Sequence, residues 1–187
     1  MPKPNTNKNP NDIRSKKTMR DIKNAMLSLI AEKPFDKIRV EDILREAPVQ
    51  SNTFYKYYAS KKDVLYDIGN DIVESMKAAL KALDKADLHE GVRIFYEEIS
   101  SREEPYHRLF TSDEYEDLLE WMRDKYFSSV FFTSFVSDSG YKEIAGTFIG
   151  YTALSIYKAW EKSGDGSRTI DELAAAAADL MLNGLGG

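Results

Sequence analysis

The segment that most constrains the fold runs from Val40 to Tyr58: Val40-Glu41-Asp42-Ile43-Leu44-Arg45-Glu46-Ala47-Pro48-Val49-Gln50-Ser51-Asn52-Thr53-Phe54-Tyr55-Lys56-Tyr57-Tyr58. Val40, Ile43, Leu44 and Ala47 recur at helical spacing and make one apolar stripe on a short helix. Pro48 ends that helix, because proline disfavours the α conformation in the residue before it. Ser51-Asn52-Thr53 then offers a polar start for a second short helix, with Phe54 and Tyr58 on one face. Two short helices joined by a tight turn, the second rich in small polar and aromatic residues, have the layout of a DNA-binding helix-turn-helix. Many helical hairpins that bind nothing share this bare pattern, so the rest of the chain has to discriminate.

Charge does so. The chain of 187 residues carries a net charge of −5, which as an average argues against nucleic acid. Residues 1–62, however, hold 14 Lys and Arg against 7 Asp and Glu, a net of +7, whereas residues 63–187 hold 12 against 24, a net of −12. A basic head on an acidic body is expected of a DNA-binding module joined to a domain that does not touch DNA.

Composition excludes other classes. No apolar run is long enough to span a bilayer, and Met1 to Asn11 has no apolar core of the kind a secretory leader needs. There is no cysteine, which removes disulfides and thiolate metal sites and fits a reducing cytoplasm, the compartment expected. With only His89 and His107 as imidazoles, neither a metal site nor a His-based triad is expected, and no cofactor is implied.

The pattern along the chain is all-α. Residues 1–11 read as a disordered arm, 12–62 as the helix-turn-helix domain, and 63–187 as a second helical domain. The first helix is predicted from about Asp12 to Glu32, capped by Asn11 or Asp12, with Ile22, Met26, Leu29 and Ile30 buried. Arg14, Lys16, Lys17, Arg20 and Lys23 crowd its first half and suit a phosphate backbone. Lys33-Pro34 breaks it, and Phe35 and Ile38 tuck the link into the core. A long core helix follows from about Lys62 to Leu83, carrying Val64, Leu65, Ile68, Ile72, Met76 and Leu80. Further helices are predicted over 89–100 (Val92, Phe95, Tyr96 and Ile99 inward), 105–110, 113 to about 135, 141–162, and 169 to about 183 with Thr169 as cap.

Ala47-x-Val49-x-x-x-Thr53-Phe54-Tyr55-x-Tyr57-Tyr58-x-Ser60-Lys61-x-x-Val64-Leu65 resembles the N-terminal domain of tetracycline-repressor-like (TetR family) regulators. Their usual pattern is Ala-Gly-Val-Ser-x-x-Thr-Phe/Leu-Tyr-x-His/Tyr-Phe-x-Ser/Asn-Lys-x-x-Leu. Ala31-Glu32-Lys33-x-Phe35-x-x-Ile38-x-Val40-x-x-Ile43 also resembles that family's first-helix end and second-helix start, so the likeness covers about residues 13–68. Two positions depart from it. Pro48 stands where the family usually has Gly, and proline cannot take the positive φ that glycine often supplies, so the turn is expected to be built another way. Gln50 replaces the common Ser cap, leaving Ser51 or Asn52 to contribute to capping.

The resemblance assigns DNA-facing roles by position. Lys61 matches the family's phosphate-anchoring lysine, Thr53 and Tyr57 match positions reaching the backbone, and Tyr55 matches a groove-facing position. Gln50, Ser51, Asn52 and Lys56 occupy the exposed face of the second short helix; Gln and Asn pair with adenine and Lys reaches guanine acceptors. Arg39, at the start of the first short helix, is a candidate phosphate contact. Phe54 and Tyr58 are read as core, and Glu41 and Asp42 as residues favoured by a helix N-terminus rather than DNA contacts.

In the acidic body, 16 of the chain's 22 aromatic residues lie between Phe95 and Trp160. The resemblance implies an effector pocket there, with Phe95, Tyr96, Tyr106, Phe110, Trp121, Tyr126, Phe148 and Tyr151 as candidates. The competing reading is that these aromatics are simply core. Ala145, Gly146, Gly150, Ala153 and Ala174 to Ala178 are small residues that let helix backbones approach closely. In the family the last two long helices pack against the same pair of a second subunit as a four-helix bundle.

The expectation is therefore a homodimeric transcriptional regulator, a repressor released from a pseudo-palindromic DNA operator by a small-molecule effector. The alternative keeps the head but replaces the effector with a partner protein, and a body pocket filled by its own side chains would favour it. A third reading, an all-helical enzyme, has no nucleophile–base pair or ligand cluster behind it.

Overall fold

The computed structural model describes residues 13–82, 87–102, 104–127, 139–164 and 166–184, and the described residues form helices and turns with no strand. Helix α1 spans Ile13–Glu32, α2 Val40–Glu46, α3 Ser51–Tyr57 and α4 Lys61–Lys81. Helices α5 (Leu88–Ser100), α6 (Glu104–Thr111), α7 (Glu116–Phe127), α8 (Lys142–Ser163) and α9 (Ile170–Asn183) complete the body. None of these helices is long and apolar enough to cross a membrane.

The predicted apolar stripes are the ones buried. Ile22, Met26, Leu29 and Ile30 of α1, Ile43 of α2, and Phe54 and Tyr58 around α3 share one core with Val64, Leu65 and Ile68 of α4. Reciprocal side-chain caps fix the starts of α4 and α9. Ser60 accepts from the Asp63 N–H while Asp63 accepts from the Ser60 N–H, and Thr169 and Glu172 repeat the exchange at α9. Gly164 ends α8 in the left-handed conformation at φ 63°.

The seventh helix starts later than the sequence suggested. Residues Asp113–Tyr115 form a 3-10 turn, with the Ser112 hydroxyl accepting from the Glu114 N–H, and α7 follows. The predicted arm, the Asn11 or Asp12 cap of the first helix, Leu83 and residues 128–135 of the helix predicted over 113 to about 135 lie outside the described residues.

Helix α4 joins the two parts of the molecule: it packs on α1 at the head and on α5 and α7 in the body. At Gly69 the α7 helix comes so close that a Cβ would lie 2.9 Å from Leu118 Cδ1 and 3.2 Å from Met122 Cγ. The most extensive helix pair is α5 with α9, where Ala174 and Ala177 are fully buried. The alanine run therefore serves close packing within one protomer. Gly150 does the same, because the space a Cβ would need is filled by the stem of Arg123 and the ring of Phe127. Gly146, Gly150, Ala153, Ala174, Ala177 and Ala178 are thus buried within the chain, whereas Ala175 is exposed, and large apolar residues occupy the exposed side of α8.

Candidate nucleic-acid interface

The head is built so that α3 presents one face outward. Phe54 and Tyr58 are fixed in the core, with Phe54 packed edge-on against Tyr55 at 5.3 Å between ring centroids. The Tyr58 hydroxyl donates to Asp67 at 2.7 Å, and burial together with that carboxylate pushes its pKa well up. With those two anchored, Gln50, Ser51, Asn52, Tyr55 and Lys56 are all exposed, and Tyr55 shows 55% of its surface. Thr53 and Tyr57 are half-buried. The Tyr57 hydroxyl donates to Ser15 Oγ at 3.0 Å and accepts from Lys56 Nζ at 3.1 Å, tying α3 to the start of α1. Arg39 is exposed, and its backbone N–H donates to Asp42 Oδ2 at 3.0 Å.

Lys61 is engaged within the head. Its ammonium donates to the carbonyls of Phe35 (2.6 Å), Ile38 (2.7 Å) and Asp36 (3.3 Å) and sits 4.5 Å from the Phe35 ring centroid. It thereby braces the link between α1 and α2, a function that only the folded geometry reveals. Lys23, grouped in sequence with phosphate-facing cations, turns inward to pair with Asp67 and Asp71 of α4. Burial opposes its charge, but the two carboxylates prevail and raise its pKa. Lys16 and Lys17, by contrast, are exposed.

The turn before α3 overturns one expectation. Pro48 does take a positive φ, 22°, and the turn is the one glycine would make. Val49 N–H closes on Leu44 O at 3.3 Å, which is the outer hydrogen bond of a Schellman turn with Pro48 in the glycine position. Proline has no N–H to make the inner bond, and its ring favours φ near −65°, so the turn is strained at this residue. The capping expectation also fails. Gln50 occupies the N-cap with no side-chain hydrogen bond, while Ser51 and Asn52 are already inside the helix.

Asp42 organises the start of α2. It is joined to Lys33 at 2.7 Å and to Arg45 at 2.6 Å and accepts from the Arg39 N–H. Lys33, then the Arg39 N–H, hold its carboxyl far below the usual carboxylate range. This carboxylate is structural, as its place at a helix N-terminus suggested.

In the body, Phe95, Phe110 and Tyr126 come together around a cavity of about 10 Å³, with Val73, Met76 and Met122. Phe95 and Tyr126 stack at 5.8 Å, and the Tyr126 hydroxyl donates to Gly91 O at 3.2 Å. The other five candidates are elsewhere. Tyr96 is buried and donates to Ala153 O at 2.9 Å, while Tyr106 lies under the Arg102 guanidinium. Trp121 packs on Tyr66 at the seam of α4 and α7. Phe148 and Tyr151 stand on the exposed side of α8 with Ile144 and Tyr141, at 53%, 44%, 64% and 60% exposure. Their spacing, which made them look like core, places them on one face of α8, and that face is turned outward.

One residue beside the cavity went unnoticed in the sequence. Arg123 of α7 is only 3% exposed in its side chain, and its guanidinium lies 3.3 Å from the Tyr151 ring centroid. It stands four residues from Leu119 and three from Tyr126, on the apolar side of its helix, and that placement was the available signal.

Comparison with known proteins follows the same division. Residues 22–68 match the model of bacterial regulatory proteins, tetR family. No curated protein matches the chain. Among solved structures, a TetR transcriptional regulator from Streptococcus agalactiae 2603V is 22% identical, with a TM-score of 0.68 over 89% of this chain and 94% of that one. A putative TetR-family transcriptional regulator from Syntrophomonas wolfei str. Goettingen is 18% identical, with a TM-score of 0.69 over 89% and 93%. The fatty acid degradation regulator FadR from Bacillus halodurans is 17% identical, with a TM-score of 0.58 over 90% and 96%. These likenesses establish a shared fold from head to body.

Proposed function

We propose that this chain, whose head matches the model of bacterial regulatory proteins, tetR family, over residues 22–68, is a homodimeric repressor of transcription. It binds a pseudo-palindromic operator through α3 and is released when a small molecule binds the body. The observation that carries the reading is the outward face of α3. Gln50, Ser51, Asn52, Tyr55 and Lys56 are exposed together on a helix whose other face is locked by Phe54 and Tyr58. Thr53 and Tyr57, half-buried on α3, serve as contacts to the DNA backbone, and the exposed Arg39 as a phosphate contact. Lys61 acts there chiefly by holding the link that carries Arg39.

Dimerisation through α8 and α9 is supported by the exposed apolar line Tyr141, Ile144, Phe148 and Tyr151, with Leu182 at 63% exposure on α9. The spacing is that of a helix-packing seam. Two protomers joined there present two recognition helices to the two halves of one site.

The test is selection of duplexes from a random DNA library, followed by anisotropy titrations over a range of salt concentrations. Expected is one enriched inverted repeat whose affinity falls steeply with salt, and loss of sequence preference in Asn52→Ala. Absence of an enriched repeat would sink the proposal. A second reading, control by a partner protein, is favoured by the cavity: about 10 Å³ holds one water at most.

A further inference from the structure

Arg123 is the most anomalous side chain among the described residues. Its Nε and Nη1 are both fully buried and neither has a hydrogen-bond acceptor. Among the described residues its Nη2 is paired with Glu120 Oε1 and Asp124 Oδ1, each at 3.7 Å and each on a carboxylate more than half exposed, and the Tyr151 ring covers the guanidinium face. A buried cation with two orphan donors is costly unless something supplies acceptors. Gly150 gives way to the arginine stem, since a Cβ there would lie 2.5 Å from Arg123 Cγ, so the arginine has a place built for it in α8. The same arginine lines the body cavity, whose other walls include Val73, Met76, Leu119, Met122 and Leu154.

We propose that Arg123 is the anion receptor of an internal site that takes a carboxylate carrying an apolar chain. A guanidinium offers two edges for bidentate pairing, Nε with Nη2 and Nη1 with Nη2, and each edge here contains one orphan. A carboxylate on either edge supplies the missing acceptor and neutralises the buried charge. The apolar remainder enters between α4 and α7 by displacing the side chains of Met76 and Met122, which are unbranched and repack readily. The cavity widens as those side chains move, so its small volume does not argue against a ligand. Arg123 also holds Tyr151 of the exposed α8 face, so the ligand reports directly to the surface proposed for dimerisation. The effector role of this site rests on the function proposed above; the binding site itself does not.

The experiment is thermal unfolding of the full chain with hexanoate, decanoate or hexadecanoate and with the matching alcohols, followed by calorimetric titration of the best carboxylate. Expected is stabilisation by one carboxylate and none by its alcohol. Arg123→Met should keep the wild-type helical circular dichroism and lose affinity by about thirtyfold or more. Equal responses to acid and alcohol, no response to any carboxylate, or an unchanged response in Arg123→Met would each overturn the proposal. Should Arg123→Met not fold, Arg123→Lys takes its place: it keeps the charge without the edge, so an affinity loss of about tenfold supports the site and an unchanged affinity refutes it. DNA affinity is measured on the same samples. Carboxylate binding without DNA release upholds the site and overturns its effector role. Failure to bind DNA overturns the proposed function and leaves the site standing on the unfolding data.

Discussion

Arg108 of α6 donates from Nη1 to the carbonyl oxygen of Ile30 at 2.9 Å, so a cation of the body closes the last turn of the first head helix. Helix α1 has no basic residue of its own in that turn. Arg108 therefore both satisfies an orphan carbonyl and complements the negative end of the helix dipole. Arg108→Ala should lower stability by about 1–2 kcal/mol in urea unfolding. An unchanged midpoint would mean that water replaces the contact at no cost.

Pro48 yields a prediction of the opposite sign. Glycine accepts the positive φ and restores the N–H that the Schellman turn lacks, so Pro48→Gly should stabilise the head by about 1 kcal/mol. The gain exceeds the entropic penalty of a glycine in the unfolded chain, which works against it. Chemical denaturation of the variant beside the wild type checks the sign.

Lys61 binds three carbonyls of the α1–α2 link. Lys61→Met keeps the stem over Phe35 and removes those hydrogen bonds, and about 1–3 kcal/mol of stability should go with them. DNA affinity should fall for all duplexes alike, because the link positions Arg39 rather than reading a base. If the variant bound one duplex normally and another weakly, the bracing role would be wrong.

Gly150 is a helix interior position where alanine would ordinarily be preferred. Here a Cβ would lie 2.5 Å from Arg123 Cγ and 2.9 Å from Phe127 Cδ2. Gly150→Ala should therefore destabilise the body by about 1–3 kcal/mol despite its better propensity. A rise in Tm would show that the arginine stem moves aside freely.

Asp42 gives a pH dependence of defined sign. Its folded pKa lies below the ordinary carboxylate value, chiefly through Lys33 and then the Arg39 N–H. Its contribution is complete above the unfolded-state pKa and is lost as pH falls towards the folded one. The difference in urea midpoint between wild type and Asp42→Asn should thus be constant at neutral pH and shrink under acid conditions. A difference that grew on acidification would contradict the assignment.

The head was legible because its information is local. Helical spacing identified Phe54 and Tyr58 as core, and the same spacing exposes Gln50 and Tyr55. The intramolecular partners of Lys61 and Lys23 were not legible because they lie 23 to 26 and 44 to 48 residues away in the sequence, beyond any periodic signal. The aromatics of the body were harder still. A stripe tells which residues share a face, not whether that face meets a cavity, a neighbouring helix or solvent, and so Phe148 and Phe95 looked alike. Arg123 broke the apolar pattern visibly, yet only burial turns such a break into a chemical question.

Gly69 has a mechanical consequence for α4. The helix is a stiff rod, and the missing side chain lets α7 press against it at that position, within a seam that also joins Lys62 to Asp117, Tyr66 to Trp121 and Asn70 to Lys125. That point lies eight residues from Lys61 and seven from Met76, or about 12 Å and about 10 Å along the axis. Were α4 to pivot there, its Lys61 end would move about as far as its Met76 end and in the opposite direction. The α1–α2 link hangs from Lys61, so a tilt of α4 would carry that link with it.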